Sequence, residues 1–125
     1  MLVCLHTYYQ EEKRMTKDKK AFGNFLREMI KQTGISQSAF YSAVDITKPY
    51  FYDILSGKVN PPPPEIQYKM LEQLELNDLQ RHEFLNLAAA GRCEIPADIA
   101  KMIAEHPLEL EKIRMTLSSI LMSQG

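Results

Sequence analysis

Apolar residues along this chain recur with a helical period. Phe22, Phe25, Leu26, Met29 and Ile30 fall at i, i+3, i+4, i+7 and i+8, which predicts a helix from Ala21 that Gly34 ends. A short second helix is expected over 36–44, with Ser36 as N-cap and Ala39, Phe40, Ala43 and Val44 facing inward. After a tight Asp45-Ile46 connection, Thr47 caps a third helix to about Leu55, with Phe51, Ile54 and Leu55 as its apolar side. Pro49 is tolerated there because the first turn has no intrahelical N–H bond to lose. Ser56-Gly57 ends that helix.

Val59-Asn60 and the prolines Pro61 to Pro64 read as a rigid extended spacer. A fourth helix over about 64–75 carries Ile66, Met70, Leu71 and Leu74. Asn77 and Gln80 have the spacing of a capping box, opening a fifth helix that runs to Ala90 and stops at Gly91. Pro96 begins a sixth helix to about Glu105, and Pro107 restarts a seventh. Leu110, Ile113, Leu117 and Ile120 give that last helix a 3-4-3 seam of coiled-coil type. Strand-type alternation is missing throughout, so the expected class is all-α.

Composition narrows the picture. The chain has 125 residues, 45% hydrophobic and 25% charged, which fits one folded domain with an appended piece. No apolar run reaches the ~20 residues that span a bilayer, and the short apolar start Met1–Leu5 lacks a basic leader. A cytoplasmic protein without a membrane partner is therefore expected. Cys4 and Cys93 read as two separate reduced thiols. Residues 1–18 are expected to be a tail, and two readings stand for its first part: an ordinary flexible tail, or a stretch ahead of a natural start at Met15. The run Glu11-Glu12-Lys13-Arg14 before Met15 implies the purine-rich codons of a bacterial ribosome-binding site.

The net charge of −1 conceals segregation. Residues 17–60 hold seven bases against four acids, and residues 61–125 hold six against ten. A mildly basic N-terminal half can face phosphates while the acidic half faces elsewhere. No catalytic chemistry stands out. His6, His82 and His106 lie far from each other and from other ligands at metal spacing, the five glycines are dispersed, and no nucleophile is marked with its base. Neither an enzyme, a metal site nor a cofactor is expected.

Two short helices around a tight turn, the second opening on a cap, make a helix-turn-helix candidate. The stretch from Gly34 through Ser36-Gln37, Phe40, Ile46-Thr47, Tyr50 and Ile54 to Gly57 and Pro61 resembles the Cro/phage-repressor-like, or XRE, family. The resemblance covers about residues 20–90. It implies a five-helix lambda-repressor-like domain over 19–91, followed by about two additional C-terminal helices over 92–125. Three departures stand out. Asp45 replaces the turn glycine, Tyr41 replaces a small residue, and Ile30 and Leu55 occupy the places of an Arg–Glu pair. The apolar Ile30–Leu55 pair is expected to be in contact.

The resemblance implies a double-stranded DNA-binding transcriptional regulator, a repressor by expectation, with a palindromic operator. Lys48, Pro49, Tyr52 and Asp53, on the outer side of the third helix, are the expected base readers. Lys48 can donate to guanine and Asp53 can accept from cytosine. Ser36, Gln37, Thr47, Tyr50, Ser56, Lys58 and Asn60 are the expected phosphate contacts. A homodimer on the operator is expected, with Leu110, Ile113, Leu117 and Ile120 as its seam. The sequence names no small-molecule effector. The alternative is a protein-interaction or antitoxin module that keeps the helix pair without strong DNA binding.

Overall fold

The computed structural model describes residues 12–123, with side-chain surroundings from Lys19 onward. Among these residues the chain is all-α, and no strand forms. The order is α1 (Glu12–Thr33), α2 (Gln37–Val44), α3 (Lys48–Ser56), α4 (Pro64–Leu74), α5 (Asp78–Arg92), α6 (Ala97–Ala104), a 3-10 turn (Pro107–Glu109) and α7 (Leu110–Met122). No described helix is long and apolar enough to cross a membrane.

Local chemistry sets most of these boundaries. The Ser36 and Thr47 hydroxyls accept from the Ala39 and Tyr50 amides at 3.1 and 3.3 Å, so both short helices open on side-chain caps. Asn77 and Gln80 form the full capping box of α5, with bonds of 2.8 and 3.2 Å. Gly34 and Gly57 take positive φ at the ends of α1 and α3. Asp45 adopts φ 64° at the end of α2, a left-handed conformation that Asp tolerates better than most residues.

The core is one cluster. Phe22, Leu26 and Ile30 of α1 meet Phe40 and Val44 of α2, Phe51, Ile54 and Leu55 of α3, Met70 and Leu74 of α4, and Phe84, Leu85 and Ala88 of α5. Burying each large side chain stabilises the fold by about 1.5–3 kcal/mol. Phe22 meets Phe84 edge-on with ring centres 5.1 Å apart, and Phe40 lies 5.9 Å from Phe51. α1 packs chiefly on α5 and α3, and α2 packs on α4. Ile30 and Leu55 are both buried in this cluster.

Several sequence expectations are corrected. α1 begins by Glu12, nine residues before Ala21. Its first turns are rich in Lys, Glu and Arg, which favour helix but carry no apolar stripe for periodicity to detect. The inward face of α2 is rotated. Phe40 and Val44 are buried and Tyr41 is half-buried, while Ala39 and Ala43 are exposed. α5 runs through Gly91 to Arg92. A side chain at Gly91 would lie 2.6 Å from the Pro61 ring, so this glycine serves packing rather than termination. Cys93, the left-handed cap of α5, is disulfide-bonded, so the reading of separate reduced thiols fails. The expectations for residues 1–11 lie outside the described residues.

Candidate nucleic-acid interface

The first turn of α3 is held from behind and open in front. Phe51, Ile54 and Leu55 anchor its inner side in the core. On the outer side Lys48 and Pro49 are exposed, Tyr52 is 41% exposed and Asp53 is half-buried. Close backbone approach fixes the height of α3 on the body. A Cβ at Gly23 would lie 2.2 Å from the Leu55 carbonyl oxygen, so α1 seats α3 only because residue 23 has no side chain.

α2 supports the same face. The Tyr52 hydroxyl donates to Gln37 Oε1 at 2.8 Å, tying the outer side of α3 to the first turn of α2. Tyr41 lies behind them, its ring 5.3 Å from Phe51. Tyr41 is therefore part of the α2–α3 contact.

The residues expected to contact phosphate lie in or next to α2 and α3. Ser36, Thr47, Lys58 and Asn60 are exposed, and Gln37 and Tyr50 are half-buried. The Ser36 and Thr47 oxygens accept helix amides, and the Ser36 hydroxyl is also shared with that of Ser38 at 3.4 Å, whereas the Thr47 proton is available to an anion. Ser56 donates to the Asp53 carbonyl at 3.2 Å, so its proton is directed into the helix end. Leu110, Ile113, Leu117 and Ile120 are elsewhere, on α7, whose chief neighbour among the elements is the 3-10 turn. Ile113 is half-buried and the other three are exposed.

Two sources of positive charge escaped sequence reasoning. The Lys20 backbone and Cβ lie 3.0–3.1 Å from where a Gly57 side chain would project, which brings the early part of α1 beside the loop after α3. Arg92 donates to the Pro61 carbonyl at 3.1 Å and pairs with Glu94 at 3.0 Å, and its charge acts on Tyr50. Burial pushes the Tyr50 phenol above its ordinary value of 10.0, and the nearby Arg92 guanidinium partly opposes that rise. Tyr50 is thus a neutral hydroxyl donor at physiological pH. Neither neighbour carries a short-range signal, since each meets the site from a distant helix.

Among the described residues, no group of three or more His, Cys, Asp or Glu is arranged to hold a metal ion. No family model, curated protein or solved structure matches this chain.

Proposed function

We propose that this chain is a sequence-specific double-stranded DNA-binding regulator, a repressor in its simplest form, with α2 and α3 as a helix-turn-helix of the Cro/phage-repressor-like type. In this reading α1 to α5 are the lambda-repressor-like domain, and α6 and α7 are additions to it. One observation carries the proposal. The N-terminal turn of α3 presents Lys48, Pro49 and Tyr52 outward while its opposite side is locked into the core. A major groove admits such a helix, and base edges are read from its first turn.

Lys48 donates to guanine O6 or N7, Asp53 accepts from cytosine N4, and Tyr52 and Pro49 pack against a thymine methyl. Gln37, Tyr50, Lys58 and Asn60, with the Ser36 and Thr47 hydroxyls, hold the flanking phosphates. One reading helix makes few base contacts, so a dimer on a palindromic site, with half-sites one turn or a multiple apart, supplies the specificity.

Selection of sites from a randomised duplex library tests this. The expected result is an enriched palindrome, an affinity that falls steeply with salt, and relaxed preference at one base pair in Lys48→Ala, worth about 1–3 kcal/mol. No enrichment, even at low salt, would overturn it. One observation favours a protein-interaction or antitoxin module instead. Tyr52 is already hydrogen-bonded to Gln37, and Lys48 is the only base on α3. That module would leave random duplex unbound at low salt.

A further inference from the structure

Between α4 and α6 lies an open groove of about 730 Å³. Tyr68, Ile95 and the small residues Ala97, Ala100 and Ala104 give it an apolar lining. Charge does not select what fills it. Glu94 is paired with Arg92 at 3.0 Å, and the Lys101 ammonium lies over the Tyr68 ring, 5.4 Å from its centre. Covalent connectivity does select it. Glu94 and Ile95 line the groove and follow directly on Cys93, which is disulfide-bonded. The chain holds one other cysteine, Cys4, in an apolar stretch.

We propose that Cys4 is the partner of Cys93, and that residues 1–5, which lie outside the described residues, fill the α4–α6 groove of their own chain. Their sequence suits the lining. Met1, Leu2, Val3 and Leu5 are apolar, and none of the five side chains is charged. The bond also sets the direction. Cys4 is held beside Glu94 and Ile95, just ahead of the first turn of α6. Residues 5–11 lead back to α1, which leaves residues 1–3 to run along α6 toward Ala104. Three extended residues reach about 10 Å, against about 12 Å for the eight residues of α6.

The chain is long enough to close this latch. A side chain at Gly91 would lie 3.5 Å from the Lys19 Cα, so α1 passes the end of α5 two residues before Cys93. Glu12 lies about 10 Å further back along α1, seven residues of helix away. Residues 5–11 extend to about 23 Å, which covers the return with slack. The bond supplies affinity as well as reach. Five residues hold a shallow groove weakly by themselves, but a short tether raises their local concentration to the millimolar range. The docking depends neither on DNA nor on a second copy.

The test uses the full chain, unreduced and without DNA. Peptide mapping is expected to give one linked pair of peptides, holding Cys4 and Cys93, and intact mass a single chain lighter by two hydrogens than after reduction. A photo-crosslinker replacing Val3, in mixed isotope-labelled and unlabelled copies, is expected to mark peptides holding Tyr68, Ala100 or Ala104 of the same copy. Cys4→Ser, or reduction with a phosphine, is expected to cut those crosslinks about tenfold, because the tether is lost. Ala100 is exposed, so Ala100→Glu leaves the fold and the disulfide in place, and it is expected to move the crosslinks out of the groove. A Cys93 thiol that alkylates without reduction, a disulfide joining two copies, crosslinks outside the groove, or crosslinks that Ala100→Glu leaves unchanged would each overturn the docking, as would a native protein that starts at Met15.

Discussion

The Tyr52 hydroxyl donates to Gln37 Oε1 across 2.8 Å, joining residues fifteen apart in sequence and on different helices. The bond is exposed, so its stabilising effect is small, about 0.5–1 kcal/mol. Its larger effect is positional, since it sets the rotation of the first turn of α2 against the outer side of α3. Tyr52→Phe is expected to change unfolding free energy by less than about 1 kcal/mol. On the proposed DNA-binding reading, it is also expected to blunt discrimination among DNA sites more than it lowers affinity for random duplex. Equal loss on selected and random DNA would show that the bond does not orient the reading turn.

Gly23→Ala forces a methyl group onto the Leu55 and Ile54 carbonyl oxygens, which are backbone atoms and cannot turn aside. Overpacking of this kind costs about 1–3 kcal/mol, here toward the upper end. Thermal unfolding is expected to show a clear drop in Tm. On the proposed DNA-binding reading, α3 must lift from α1, so DNA affinity is expected to fall under conditions where the variant remains folded. Unchanged stability would show that α1 and α3 have slack between them.

Gln67 is 2% exposed, donates from Nε2 to the Pro62 carbonyl at 2.8 Å, and has no partner for Oε1. Gln67→Glu would bury a carboxylate facing a carbonyl. A loss of about 3 kcal/mol is expected at pH 7. The carboxyl's folded pKa would be raised, so the missing stability returns as pH falls and the protonated acid donates to Pro62. Urea unfolding at pH 7 and pH 4.5 checks this, and an equal deficit at both would be the contrary result.

Burial holds the Tyr50 phenol above its ordinary value, with Arg92 opposing. The folded state therefore keeps this proton at a pH where the unfolded chain releases it. Stability is intact below about pH 10 and declines as pH rises through the folded value. Tyr50→Phe is expected to flatten that alkaline decline. Arg92→Ala removes the opposing charge and is expected to move the Tyr50 phenolate absorbance step to higher pH.

Features set by short-range chemistry were readable in the chain. The Ser36 and Thr47 caps, the Asn77–Gln80 box, the left-handed Asp45 and the buried side of α3 all depend on residues within one turn of each other. The face of α2 was misread because an eight-residue helix with apolar residues at 39, 40, 41, 43 and 44 fits two overlapping stripes. Only packing against α3 and α4 chooses between them. The polar start of α1 carried no period at all. At the site, the outward positions of α3 were legible from its period, whereas the Tyr52–Gln37 bond and the Arg92–Tyr50 pairing were not. Each joins side chains that only the tertiary fold brings together.

The connector after α3 has a mechanical consequence. Pro61 is wedged against Gly91 and bonded through its carbonyl to Arg92, and the Pro62 carbonyl is clamped by Gln67. A segment that reads as a spacer is thus bolted to α4 and α5 at consecutive residues, and little torsional play is left downstream of α3. Whatever grips the front of the molecule therefore also fixes the heading of its rear. Two copies joined at the rear would tolerate little variation in the spacing of the targets held at their fronts.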